Sequence, residues 1–281
     1  MAGLFRHTWA SVRRLNAKPL RHLRHATKIP WFLRDYLDLR QQAKLAGESI
    51  SFGRPYPCLA DRDESCGTAS GHYFHQDLWV ASRIHSLSPN RHMDVGSRID
   101  GFVAHVAAFR EIEVLDIRPS QERIGNIRFG QADLMNELPE QMRGITDSLS
   151  CLHTLEHFGL GRYGDPVDFD GHLKGLRNLH ALLKPGGKLF FSTPIGPLRI
   201  EFNAHRVFSL KYLMDVLSPN FQFDRFCFVD DAGDFHNDVE LTESVVANNS
   251  DCRLGCGIFE LTRKNDDYVN AKPNCESARA A

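Results

Sequence analysis

From His92 onward, short apolar runs alternate with stretches in which apolar residues recur at helical spacing. The runs "HMDV", "IEVLDI", "IRFGQA", "DSLSCLH" and "GKLFFST" read as strands. Helices are predicted between them at about Gly101 to Phe109 and from Asp168 to Leu183, the latter stopped by "KPGG" at Lys184 to Gly187. Strands alternating with helices predict a mostly parallel sheet covered on both faces. The pattern then changes. A helix near Leu210 to Leu217 precedes two long β-type runs, "FQFDRFCFVDD" and "GCGIFELTRK", joined by a polar stretch with no helical period. Such a pair is expected to form an antiparallel ribbon at the sheet edge.

Upstream, "LFRHTWASVRRL" and "PWFLRDYLDLRQQAKLA" place arginines between apolar residues at helical spacing, predicting short amphipathic helices broken at Pro19 and Pro30. The organisation expected is a basic helical extension over residues 1–50, a lid or pre-core segment over 51–91, the sheet domain over 92–264 and a polar, disordered tail over 265–281. In the segment "GHYFHQDLWVA", Tyr73, His75 and Gln76 are candidates to close over a ligand, and Leu78 and Trp79 are expected in the core. With 281 residues and 42% hydrophobic content the chain can bury a core of its own.

Charge changes this picture at one end. Residues 1–44 carry ten Lys/Arg against Asp35 and Asp38, a balance of +8, while the remainder carries 24 basic and 33 acidic residues. The arm reads either as a solvated helical segment packed on the domain or as a surface for an anionic membrane or an acidic partner. Nucleic acid is not expected, because the remainder is acidic and has no basic stripe with interleaved aromatics. No apolar run reaches about 18 uncharged residues, and no apolar segment follows the first arginines. A cytoplasmic, possibly membrane-peripheral protein is therefore expected. The seven cysteines, at Cys58, Cys66, Cys151, Cys227, Cys252, Cys256 and Cys275, are scattered as reduced thiols would be. Cys252 and Cys256 have no second pair to complete a metal set, so no metal is expected.

The motif order carries a resemblance. "MDVG" ending the first strand, "LDI" the second, "QADL" after the third, "LHTLEH" at the fourth and "LKPGGKLFFSTP" around the fifth are similar to a class I S-adenosylmethionine-dependent methyltransferase over about His92 to Lys264. "YPCLADR", "HYFHQDLWVA", "DVGSRIDGF" and "GLGRYGDP" further resemble bacterial methyltransferase-like proteins grouped as domain of unknown function 268. The resemblance implies a Rossmann-like sheet of seven strands with an antiparallel edge pair and helices on both sides. It also implies S-adenosyl-L-methionine as cofactor, lying across the carboxyl ends of the strands.

On that reading Asp94 and Gly96 belong to the cofactor loop, with the carboxylate toward the methionine ammonium or its water shell. Asp116 would accept from the ribose hydroxyls, and Ala132 and Asp133 would meet the adenine. The same spacing of an acidic residue after the loop also fits NAD. The loop "GSRIDG" lacks the later glycines that aim amides at a pyrophosphate, which disfavours a dinucleotide. It is expected to stay open through Gly96, Ser97 and Gly101, with Arg98 pairing with the cofactor carboxylate or bracing the loop against a neighbouring acid.

"HTLEH", His153 to His157, matches the inverted zinc-protease motif, which needs a continuous helix; an apolar β-type run just before it leaves little room for one. Within the resemblance, His153, His157 and Glu156 line the crevice as candidate bases or orienting groups, and His205 and Arg206 in "NAHRVFS" are candidate acceptor contacts. "GRYGDP" suits a hydroxyl-rich ligand or simply a rigid turn. The implied activity is methyl transfer to an oxygen, or failing that a nitrogen, of a polar small molecule or glycan precursor, with His153 the preferred base. The alternatives are an inactive Rossmann-like binding or partner protein and an NAD-dependent oxidoreductase.

Overall fold

The computed structural model of the chain describes residues 27–47, 50–121 and 123–265. The helix expected in "LFRHTWASVRRL", its break at Pro19, Cys275 and the tail beyond residue 265 lie outside the described residues. The chain divides into two compact units, Met1–Thr68 and Ala69–Ala281. In the first, α1 (Ile29–Ala46) runs through the segment expected to be broken at Pro30. Proline there occupies the first turn, where no amide partner is lost, so it begins the helix. Gly47, at φ 68, ends it by donating back to the last carbonyls. No residue of α1 is buried; Arg62 lies 4.7 Å over the Trp31 ring, and Tyr36 meets Phe52 edge-on.

The second unit begins with α2 (His72–Leu87) and continues through β1 (His92–Val95), α3 (Ala104–Ala107), β2 (Ile112–Asp116), β3 (Ile127–Gln131) and β4 (Thr146–Leu152). Next come α4 (Gly171–Leu182), β5 (Leu183–Ile195) and a small ribbon of β6 (Arg199–Glu201) and β7 (His205–Val207). The unit closes with α5 (Leu210–Leu217), β8 (Phe221–Val229), β9 (Phe235–His236), α6 (Glu243–Asn248) and β10 (Gly255–Arg263). The main sheet has the order β3-β2-β1-β4-β5-β10-β8-β9. Its first five strands are mutually parallel, and β10 and β8 close the edge in antiparallel register. This is the expected Rossmann-like class I methyltransferase sheet, extended to eight strands by β9.

Period-two alternation sends neighbouring residues to opposite faces. Phe191 and Phe259 face the side packed by α4 and α5, with Leu179 and Leu213; Phe190 and Ile258 face α2, with Val80, Ile84 and Phe102. In α2 the buried residues Gln76, Asp77, Val80, Ala81 and Ile84 share one helical face. The helix is thus a wall of the sheet domain. Arg83 binds the buried Glu260 of β10 through both carboxylate oxygens, at 2.8 and 3.2 Å. Leu78, expected in the core, lies on the opposite face and is exposed, while Trp79 is half-buried and donates to Asn237 at 3.0 Å.

Three local expectations differ. The helix expected from Gly101 is an irregular turn over Ile99–Val103 followed by a single α-turn, because Gly101 takes a non-helical conformation (φ −121, ψ −116). "KPGG" lies inside the start of β5, which leaves the helix directly at Leu183. The polar stretch after β8 contains α6, capped by the Thr242 hydroxyl accepting from the Val245 amide. Among the described residues no helix is long and apolar enough to cross a membrane.

Phe259 is fully buried, with ring centroids 6.0, 6.1 and 4.9 Å from Phe191, Phe223 and Phe226. Phe259→Ala should lower unfolding free energy by about 3–5 kcal/mol. A urea-denaturation midpoint close to wild type would show that the edge ribbon contributes little to the common core.

Candidate functional site

The turn after β1 is built around one carboxylate. Asp94 is fully buried; its Oδ2 accepts from the Ser97 amide at 3.0 Å and its Oδ1 from the Ser97 hydroxyl at 2.8 Å and from the Ser150 hydroxyl. Ser150 also meets His92 Nε2 at 3.3 Å, and His92 Nδ1 meets Ser148 at 2.8 Å, so a polar chain crosses from β1 to β4 inside the sheet. Burial pushes the Asp94 carboxyl up to about 6, against the pull of its serine donors, and pushes His92 down to about 3. Asp94 therefore lies beneath the loop and is not part of the cavity wall.

Gly96 begins the loop at φ 73, and a Cβ there would lie 2.4 Å from Thr154 Cγ2. Glycine is needed for both reasons. The Gly96 amide donates to the Leu115 carbonyl at 2.8 Å, the Ser97 amide to Asp94, and the Gly101 amide to the Arg98 carbonyl. These amides are spent inside the protein, so the loop offers no row of donors to a pyrophosphate. Arg98 braces the loop by pairing with Asp100 at 2.9 and 2.7 Å.

Above this turn a cavity of about 720 Å³ opens at the carboxyl ends of β1 to β5. One half is lined by Gly96, Ser97, Arg98 and Gly101 after β1, by Leu115 and Asp116 at the end of β2, and by Ala132, Asp133 and Leu134 after β3. Asp116 is engaged by its own strand end. It accepts from the Arg118 amide at 2.8 Å and from the guanidinium at 2.9 and 2.6 Å, and that guanidinium lies 4.8 Å over the Tyr163 ring. Asp133 accepts from the Met135 amide at 2.9 Å, which tightens the turn after β3.

The other half is lined by His72, Tyr73, Gln76, His153, Glu156, His157 and His205. "HTLEH" makes only a 3-10 turn, Leu155–His157, in place of the helix a zinc protease requires. His153 has φ 48, which aims its ring back at its own turn. Its Nδ1 lies 2.9 Å from Glu156 Oε1, and its Nε2 is buried with no hydrogen-bond partner. Burial disfavours the imidazolium, but the Cys256 sulfur and the Glu156 carboxylate outweigh it and hold His153 above its ordinary pKa. Burial opposes the charge of Glu156 as well, and the hydrogen bond from His153 keeps its pKa low. His157 points elsewhere, with Nδ1 2.7 Å from the Ala204 carbonyl, and His205 lies 3.2 Å from Glu201.

Several expected contacts have other partners. Arg206 is buried and donates to the carbonyls of Glu156, Phe158, Asp168 and Phe169, so it clamps the loops behind the cavity and does not reach an acceptor. Asp165 of "GRYGDP" accepts from the amides of Gly159, Gly161 and Tyr163, the signature of a rigid turn, leaving Arg162 and Tyr163 on the cavity wall. His75 stacks on Phe235 outside the cavity, whereas Tyr73 and Gln76 line it. Gln76 accepts from the Ser192 hydroxyl and donates to Asp77 at 2.9 Å. Sequence reasoning missed His72, Asp77, Thr154 and Arg118. The one available signal was the pair Gln76 and Asp77 on the apolar face of α2. Asp77 is buried, and burial raises its pKa.

Similarity to known proteins covers part of the chain. The family described as "Caenorhabditis protein of unknown function, DUF268" matches residues 105–233, under half of the sequence; its description names Caenorhabditis where the sequence reading points to bacteria. A ubiquinone biosynthesis O-methyltransferase of Acinetobacter baumannii (strain AYE) is 28% identical over 127 residues, covering 41% of this chain. The chain spans about half the length of the curated relatives it matches, 48% for this one. Two solved structures are similar at low identity. The N-methyltransferase NodS from Bradyrhizobium japonicum WM9 in complex with S-adenosyl-L-homocysteine is 12% identical, with a TM-score of 0.47 over 69% of this chain and 89% of that one. The 1,6-didemethyltoxoflavin-N1-methyltransferase of Burkholderia thailandensis, with bound 1,6-didemethyltoxoflavin and S-adenosylhomocysteine, is 15% identical, with a TM-score of 0.46 over 68% of this chain and 79% of that one.

Gly96→Ala should cost about 2–4 kcal/mol from left-handed strain and the clash with Thr154, and Thr154→Ser in the same chain should recover part of it by removing Cγ2. Equal stability of the single and double variants would show that the close approach does not matter. The buried histidines give a second test. His92 and His172, pushed down to about 3 and 4, stay neutral in the folded protein while the unfolded chain takes up protons below 6.5. Stability is then whole above pH 6.5 and falls as pH drops toward 4. His72, also pushed down to about 4, adds to this fall, and Asp94, raised to about 6, works the other way in the same window. His172→Gln, which keeps a partner for the Tyr212 hydroxyl, should lose about 2 kcal/mol less than wild type between pH 6.5 and 4 in urea titrations.

Proposed function

We propose that the protein is an S-adenosylmethionine-dependent methyltransferase acting on an oxygen of a polar small molecule or glycan precursor. The observation that carries the reading is the single cavity wall that joins two chemically different halves. One has carboxylates at the ends of β2 and β3 with apolar Leu115 and Leu134 between them; the other has a His153–Glu156 pair backed by His157 and His205. The cavity volume of about 720 Å³ suits a cofactor and a small acceptor together. When bound, the cofactor supplies an electrophilic methyl group. The chain then has to hold the acceptor in line and remove one proton.

In this reading Asp116 accepts the ribose hydroxyls, Asp133 accepts from the adenine amine, and the Gly96 turn keeps the floor low enough for the cofactor to lie across it. Asp94 contributes by fixing that turn from beneath. Glu156 binds His153 Nδ1 and helps raise the pKa of the imidazole, so His153 takes a proton from the acceptor through Nε2 only in its neutral form, which rising pH favours. His157 and His205 stand beside this pair as positioning groups. The glycan assignment is what the resemblance to the domain of unknown function 268 group implies, and the oxygen comes from the chemistry of the base. The basic arm, with Leu33, Leu37, Arg34, Arg40 and Lys44 exposed on α1, suits peripheral contact with an anionic membrane. A second reading, a binding protein without catalysis, is favoured by one observation, the complete engagement of Asp116 by Arg118.

Calorimetric titration with S-adenosylhomocysteine and with NAD separates these readings. S-adenosylhomocysteine should bind and NAD should not, with Asp116→Ala losing about 1.5–3 kcal/mol of binding energy. With an acceptor in hand, His153→Gln should lower kcat about a hundredfold at nearly unchanged S-adenosylhomocysteine affinity. Preferential NAD binding, or Asp116→Ala at full affinity, would overturn the cofactor reading. Unchanged turnover in His153→Gln would overturn the base.

A further inference from the structure

One wall of the cavity has a donor set that methyl transfer does not require. The rings of His72, at the start of α2, and His153, at the end of β4, stack with centroids 5.4 Å apart and planes within 6°. Behind them Cys256 of β10 is fully buried. One nitrogen from each ring and the Cys256 sulfur all lie within 4.8 Å of one another. We propose that His72, His153 and Cys256 form a zinc site in the wall of the cavity, with its fourth coordination position open to the cavity.

Three further observations support the assignment. The His153 side chain is only 8% exposed, its Nε2 is buried, and the Cys256 sulfur lies near enough to act on the imidazole. Its other nitrogen lies against the Glu156 carboxylate at 2.9 Å, the carboxylate–histidine arrangement that orients a metal-bound imidazole and strengthens it as a ligand. His72 likewise has a backbone partner, the carbonyl of Leu254, which leaves its second nitrogen for a metal. Two imidazoles and one sulfur suit zinc better than magnesium or calcium, which take oxygen donors. Tetrahedral zinc would bring the donors to separations of roughly 3.5 Å, a closure of about 1 Å that rotation of the two rings can supply. Binding converts the Cys256 thiol to a thiolate and releases its proton to solvent.

Binding of zinc does not depend on the methyltransferase reading. Only its use does: an acceptor hydroxyl on the fourth position would be acidified by the metal. His153 Nε2 cannot hold zinc and take a proton at once, so in the loaded protein the metal would lower the pKa of the acceptor hydroxyl and its proton would leave to solvent.

The test is titration of the full chain, stripped with a chelator, with zinc and separately with cobalt(II) as a spectroscopic probe. One zinc per chain should bind more tightly than micromolar and raise Tm, and cobalt should give a thiolate-to-metal charge-transfer band. Cys256→Ser should abolish the band, and His72→Gln and His153→Gln should each weaken zinc at least tenfold. His236→Ala, on the far edge of the sheet, should change nothing. Unfolding measured in chelator shows whether each variant is folded, and near-isosteric Cys256→Ser keeps the test decisive if a histidine variant is not. Absence of zinc binding, a cobalt complex without the band, or full affinity in Cys256→Ser would overturn the site. S-adenosylhomocysteine titration of the metal-free protein reports on the methyltransferase reading separately.

Discussion

The mouth of the sheet depends on burying one carboxylate. A charge placed where Asp94 sits costs several kcal/mol unless donors surround it, and its donors are Ser97 on its own loop and Ser150 on the next strand. Satisfying it therefore folds the loop back onto the strand and ties β1 to β4. The loop amides turn inward as a result, and Thr154 closes over Gly96 with no room for a side chain. The floor of the cavity is set from beneath, by a group no ligand would touch.

The two halves of the cavity are joined through α2. Gln76 reaches the Ser192 hydroxyl of β5, which in turn accepts from the His153 amide at 3.1 Å, so one side chain of α2 indirectly positions the end of β4. The same helix carries His72 and Tyr73 against the His153 ring and anchors itself to β10 through Arg83 and Glu260. In the structure α2, from the segment read as a lid or pre-core stretch, packs against the sheet. Its face toward the sheet is apolar in its second half and polar in its first, where it meets the cavity.

The first five strands were legible because their runs are bounded by turn residues, their arrangement in one sheet followed from the resemblance, and the Gly96, Asp116 and Asp133 positions follow from where those runs end. Helix boundaries were less so. Gly101 breaks a helical pattern through a backbone conformation that hydrophobic spacing does not encode, and α6 is too short to show a period. Side-chain partners were legible only when local. The closeness of His153 and Glu156 follows from their spacing on one turn. That of His72, His153 and Cys256 does not, since it needs α2, β4 and β10 to converge, and that convergence exists only in the folded sheet. Arg206 was misread for the same reason: its loop neighbours in space are carbonyls from distant segments.

The grip of Arg118 on Asp116 governs how a sugar would reach that carboxylate. The carboxylate proposed to receive a ribose is never bare; a guanidinium from its own chain acts as a placeholder, covering the charge and resting on Tyr163. An incoming ligand exchanges one ionic partner for two neutral hydroxyls and must first free that partner to solvent. Since Arg118 is more than half exposed, salt weakens the internal pair more than it weakens a buried contact. Affinity for a sugar diol at this carboxylate would then rise with ionic strength, the reverse of ordinary charge recognition.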